Sequence, residues 1–181
     1  MLDSFGLYSL RLICELVKAG ADPTAMNMYT TILVTACAYN YREIVRLLLE
    51  YGADPTKQCS DGVSPLSMAC SAGSTSTVCL LLEQKGIDVN IVGRRFMSPL
   101  MNACRRDRLR VVEHLVSLPH VNVDFRNCNN ETAISCSIQT KNLDLVKAVL
   151  GRVKPTESDL QTACEYGTEE ICKEIAPLLR A

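Results

Sequence analysis

The sequence contains no tryptophan, and aromatic residues make up only 5% of it. Small and aliphatic side chains must therefore fill the interior, which suits thin helical layers. Neither sign of charge dominates: 19 basic side chains face 20 acidic ones, for a formal net charge of −1. That balance argues against a generic nucleic-acid binder. No apolar run is long enough to cross a bilayer. The start, Met1-Leu2-Asp3-Ser4, lacks the basic region of a secretory signal. There are two histidines, His114 and His120, and no Cys-x-x-Cys, so zinc-type ligand spacing is absent and no metal or cofactor is expected. Gly-x-Ser-x-Gly, a phosphate loop and a dinucleotide fingerprint are all missing, so the chain reads as non-enzymatic. His114 on a second helix and His120 in a loop read as ordinary surface residues rather than bases for a cysteine.

What is present is a repeat. Gly20-Ala21-Asp22-Pro23 returns as Gly52-Ala53-Asp54-Pro55, and more loosely as Gly86-Ile87-Asp88-Val89-Asn90. In step with it run Thr31-Ile32-Leu33, Ser64-Pro65-Leu66, Ser98-Pro99-Leu100 and Thr132-Ala133-Ile134. Their hydroxyl residues lie 33, 34 and 34 positions apart. Fixed self-similarity at this period marks a stacked architecture, in which each unit buries its apolar face on its neighbours and leaves an extended groove.

The unit reads as turn, helix, short turn, helix, loop. Thr31, Ser64, Ser98 and Thr132 are placed to cap the first helix with a hydroxyl. Pro65 and Pro99 follow at the first helical position, where a missing N–H costs nothing. Ile44-Val45, Val111-Val112 and Leu145-Val146, each followed by a second apolar pair, form one face of the second helix. Gly73 and Gly167 suit a left-handed bend between the helices, Asn40 and Asp107 tolerate it, and Lys141 does so less well. Four of the ten cysteines, Cys37, Cys70, Cys104 and Cys164, follow a small residue at one repeated place. They are expected to be buried, reduced thiols of an intracellular protein, cytoplasmic or nuclear.

Ser64-Pro65-Leu66-Ser67-Met68-Ala69, Ser98-Pro99-Leu100-Met101-Asn102-Ala103, Glu43-Ile44-Val45-Arg46-Leu47-Leu48-Leu49 and Gly52-Ala53-Asp54 resemble the ankyrin repeat family. The resemblance implies an all-α solenoid of helix-turn-helix units joined by short β-hairpin finger loops. It divides the chain, residues 1–181, into a single stack. Clear repeats are expected at 26–58, 59–92, 93–126 and 127–154, between a degenerate first unit (1–25) and a degenerate last unit (155–181). The family's usual histidine is replaced by Val34, Ser67, Met101, Ser135 and Gln161. The step from Ser137 to Ala163 is short, so the last hairpin must be shortened or missing.

The resemblance also implies that finger loops and first helices line a concave, partner-binding side. By position, the candidates are Met28, Tyr29 and Tyr39 near the first full repeat, Arg94, Arg95, Arg105 and Arg106 in the third, then Glu131, Glu165 and Tyr166. Several arginines on one face repel one another unless an anion neutralises them, and guanidinium forks match carboxylate and phosphate. The expectation is a protein-interaction module binding a partner protein, or an acidic or phosphorylated peptide. The competing reading is a solvated basic face balanced by Asp61, Asp107 or Glu131. Two further readings stay open: polyanion recognition, of nucleic acid or phosphoinositide, by the arginines, and a targeting domain of a larger enzyme such as a ubiquitin ligase or kinase. Phe96, at a fingertip, is expected to pack against an adjacent finger.

Overall fold

A computed structural model describes residues 30–179 together with residues 12, 15, 16, 19, 20, 26 and 27; the side chains at 26, 27, 30, 31 and 94 are not described. Met28 and Tyr29, and most of the expected helix over 10–19, lie outside the described residues. A two-residue antiparallel ladder, β1 (Met26–Asn27) with β2 (Thr30–Thr31), opens the described fold. Five helix pairs follow. The first helices are α1 (Ile32–Ala38), α3 (Pro65–Ala72), α5 (Pro99–Arg105), α7 (Ala133–Ile138) and α9 (Glu157–Tyr166). Their partners are α2 (Arg42–Glu50), α4 (Thr75–Leu82), α6 (Leu109–Ser117), α8 (Leu143–Leu150) and α10 (Glu169–Leu178). First helices pack on first helices and second helices on second helices, so the molecule is a two-layer all-α stack.

Local chemistry starts each first helix where the hydroxyls stand. The side chains of Ser64, Ser98 and Thr132 accept from the amides of Ser67 (3.1 Å), Met101 (3.3 Å) and Ser135 (3.1 Å). Each such cap contributes about 1 kcal/mol. The last first helix is capped by Thr156, with Asp159 reaching back to the Thr156 amide at 2.8 Å. Leu33, Leu66, Leu100 and Ile134 are buried at the repeated place behind these caps, and Ile44, Val78, Val112, Val146 and Ile171 fill the second layer.

The bends between paired helices are left-handed at Asn40, Gly73, Asp107 and Lys141, with φ from 55° to 84°. Gly167 departs from that expectation: its φ of −77° and ψ of −164° are extended. Its reason for being glycine is close approach, since a Cβ there would stand 2.6 Å from the Ala163 carbonyl oxygen. A second departure concerns the cysteines. Cys37, Cys70 and Cys104 are fully buried, but Cys164 is exposed. It lies on the last first helix, and among the described residues no further helix pair covers it. Burial pushes the Cys37 thiol up to about 12 and raises Cys70 and Cys104 as well, so these are neutral packing groups.

Without the family's histidine, other side chains tie the units together. Ser67 and Ser135 turn back onto their own caps. The bonds that cross between units come from Ser74 to Asn40, Arg108 Nε to the Ser71 carbonyl (3.0 Å) and Asn142 Nδ2 to Asp107 (2.7 Å). Asn90 accepts from the Asn122 amide (2.7 Å) and donates to the His120 carbonyl (2.8 Å). Thr132 Oγ1 donates to the buried Asp159 carboxylate at 3.2 Å. Residues 151–156 alone link α8 to α9, which matches the shortened hairpin the sequence demands.

Candidate partner-binding groove

The fingers that carry the groove are built alike. The Cys59 amide donates to the Val63 carbonyl, Gly93 to Met97 and Asn127 to Glu131, at 3.0–3.1 Å. Inside each finger a left-handed residue closes a tighter turn: Gly62 (φ 74°), Phe96 (φ 55°) and Asn130 (φ 60°). Glycine adopts this conformation freely, and asparagine tolerates it. Phenylalanine there is an outlier, costing on the order of 1–2 kcal/mol. Arg95 beside it is also left-handed, at φ 57° and ψ 25°. Two consecutive strained residues thus sit at the tip of the third finger. Neighbouring fingers approach closely, and a Cβ on Gly93 would stand 2.7 Å from the Gly62 carbonyl oxygen.

Phe96 does not pack on an adjacent finger as expected; 59% of its surface is exposed. This left-handed residue presents its ring largely to solvent.

Beneath that fingertip lies a cleft of about 350 Å³. Met97, buried to 3% exposure, and Met68 give it an apolar base, and Arg95, Arg105 and Arg106 border it. The structure therefore brings three of the four arginines onto one cleft; the Arg94 side chain lies outside the described residues. The three are not equivalent. Arg105 Nη2 meets Glu131 Oε1 at 2.5 Å, and Asn127 Nδ2 holds the other Glu131 oxygen at 2.7 Å. Arg105 and Glu131 thus pair across the repeat boundary, the arrangement named in the balanced-face reading, and both side chains remain partly exposed. Among the described residues the buried Arg105 Nε makes no well-formed hydrogen bond, and the guanidinium interacts instead with the Cys136 thiol. The thiol of Cys136 nearby is pushed up to about 11 by burial, against the pull of the Arg105 charge. Arg95 and Arg106 are exposed, with no ion pair among the described residues.

Tyr39 is 66% exposed and stacks on Tyr41, with ring centroids 5.7 Å apart and an interplanar angle of 21°. Glu165 accepts from Gln161 Nε2 at 3.3 Å, and Tyr166 is exposed at the far end of the stack. Arg108 and Arg110 are engaged elsewhere: Arg108 spans Gly73 to reach Ser71, and Arg110 pairs with Glu113 at 3.7 Å. Sequence reasoning missed Ser67, Met68 and Asn102 as cleft residues and did not expect Phe96 to be exposed. The cue for Phe96 was available, because a bulky ring occupies a place that Gly62 shows to be left-handed. Among the described residues no group of three or more histidine, cysteine or acidic side chains could hold a metal ion, and no helix is long and apolar enough to cross a membrane.

A family profile described as "Ankyrin repeats (3 copies)" matches residues 4–93. The chain is 30% identical over 139 residues to the Caenorhabditis elegans ankyrin repeat and KH domain-containing protein mask-1, covering 75% of this chain and 5% of that protein. It is 34% identical over 128 residues to the E3 ubiquitin-protein ligase KEG of Arabidopsis thaliana, covering 67% and 8%. It is 25% identical over 183 residues to the ankyrin repeat protein OPG189 of Variola virus, covering 97% and 30%. The chain thus spans from 5% to 30% of the lengths of these relatives. Ankyrin repeats are generally protein–protein interaction modules and are typically not enzymes. Profile, relatives, helix-pair stack and finger loops agree: the chain belongs to the ankyrin repeat family.

Proposed function

We infer that this chain binds a partner protein through its concave groove, and that the third finger and its cleft hold an acidic or phosphorylated segment of that partner. One observation carries the reading: Arg95 and Arg106 are exposed and, among the described residues, without an ion pair on the border of a methionine-based cleft, beside an exposed and strained Phe96. Strained residues of this kind concentrate where a function maintains them. An extended segment would lay a carboxylate or phosphate across the two guanidinium groups and an apolar side chain against Phe96 and the methionines. Tyr39, stacked and exposed, is a second apolar contact toward the first full repeat. Arg105 and Glu131 act as scaffold in this reading, since their pairing fixes the cleft wall.

A peptide array of unmodified, acid-rich and phosphoserine-containing segments tests the reading. Selection of anionic peptides that carry an apolar residue, lost in the Arg95→Glu/Arg106→Glu variant, supports it. Selection without any acidic preference, or unchanged selection by the variant, defeats it. Capture of single-stranded nucleic acid with a steep salt dependence would replace the partner class by a polyanion.

A further inference from the structure

The geometry points to a covalent modification site on the second-helix layer, in which Cys79 adds to neutral, apolar-bodied, electron-poor alkenes with His114 as its proton carrier. Cys79 on α4 and His114 on α6 come from neighbouring repeats, and Cys79 Sγ lies 3.4 Å from His114 Nε2. Neither is fully buried, so a reagent can reach the pair. A thiol becomes a strong nucleophile only as thiolate, and an imidazole within bonding distance is the group that takes the proton. Among the other described cysteines, Cys37, Cys70 and Cys104 are sealed in the stack, whereas Cys128 and Cys164 are exposed, with no histidine contact.

The pair opens onto a cleft of about 410 Å³. Leu82, Ile87, Val89 and Leu118 contribute apolar walls, and the Glu83 carboxylate on the same cleft disfavours anionic reagents. A thiol–imidazole pair beside such walls fits an α,β-unsaturated carbonyl with a short alkyl body. The reaction balances without an oxidant or a leaving group. The Cys79 proton passes to His114 Nε2, the sulfur forms a C–S bond at the β-carbon, and the alkene electrons move onto the α-carbon. The imidazolium then returns the proton to that carbon.

Site-resolved mass spectrometry of the native protein, after brief exposure to 2-hexenal or to acrylamide, tests this. Cys79 should react about ten-fold or more faster than the more exposed Cys128. That advantage should be larger for 2-hexenal than for acrylamide. His114→Gln should bring Cys79 to the Cys128 rate or below, with the helical circular dichroism spectrum and melting midpoint unchanged, and His120→Gln on the same cleft should leave it fast. If the His114 variant loses structure, native Cys79 with its apolar-reagent preference still decides the matter. Cys79 labelling no faster than Cys128, no preference for the alkyl-bearing reagent, or an unchanged rate in a folded His114→Gln protein would each overturn the assignment.

Discussion

Replacing Thr132 by valine removes one hydroxyl and keeps the side-chain shape. That hydroxyl does two things. It accepts from the Ser135 amide at 3.1 Å, capping α7, and it donates to the buried Asp159 carboxylate at 3.2 Å, tying α7 to α9. Loss of a cap costs about 1 kcal/mol. A hydrogen bond to a charged group contributes about 1.5–3 kcal/mol, and this long one belongs at the low end. The sum is roughly 2.5 kcal/mol. Ser98→Ala removes a cap whose hydroxyl, among the described residues, bonds only the Met101 amide, so it should cost only about 1 kcal/mol. Urea denaturation of both variants gives the comparison. Hydrogen exchange across residues 157–178 should accelerate in Thr132→Val and not in Ser98→Ala, because only the first cuts the link to the last helix pair. Combined with Asp159→Asn in a double-mutant cycle, Thr132→Val should show a coupling of about 1 kcal/mol. Equal costs for the two caps, or unaltered exchange beyond residue 157, would show that the Thr132–Asp159 bond does not hold the end of the stack.

Three further outcomes follow from the same geometry. Phe96→Gly should stabilise the fold by about 1 kcal/mol in thermal melts, by relieving a left-handed phenylalanine, while weakening partner binding; a loss of stability would contradict the strain. Stability should be flat in the cysteine contribution below about pH 9, the ordinary thiol value. Above it the unfolded chain releases protons that the native state retains at Cys37 (up to about 12) and Cys136 (up to about 11), so stability falls as pH rises, by up to about 1.4 kcal/mol per pH unit for each thiol. Urea midpoints at pH 8 and 10 should therefore lie closer together in Cys37→Ala than in the parent, and equal spacing refutes this. Native thiol labelling should reach Cys128 and Cys164 quickly and leave Cys37, Cys70, Cys104 and Cys136 protected until the chain unfolds.

The architecture was legible because the repeat makes every signal recur in register. Ser64, Ser98 and Thr132 cap helices where their spacing placed them, and even Lys141 adopts the left-handed bend, since position overrides its poor propensity. Cys164 and Gly167 departed from expectation at the end of the stack, where the periodic environment stops and burial is no longer implied by register. The site was legible only as a face. Position along the repeat puts Arg95, Arg105 and Arg106 on one cleft, but it cannot say that Arg105 spends its charge on Glu131. That pairing depends on rotamers and on Asn127 orienting the carboxylate, which no periodicity encodes. The Cys79–His114 contact crosses a repeat boundary in the same way, and it joins two residues that look ordinary on their own helices.

The central claim is that the open anion-binding groups of the groove are Arg95 and Arg106. Fluorescence anisotropy with an array-selected anionic peptide measures it directly, comparing the parent with Arg95→Glu/Arg106→Glu and with Arg110→Glu on the second-helix layer. Reversal of both groove charges should weaken binding by about 2–4 kcal/mol, as attraction becomes like-charge repulsion. Arg110→Glu should leave affinity within about two-fold of the parent, because exposed charges outside an interface contribute little. Equal affinities for all three proteins, or a larger loss from Arg110→Glu, would place the interface elsewhere on the stack and contradict the account.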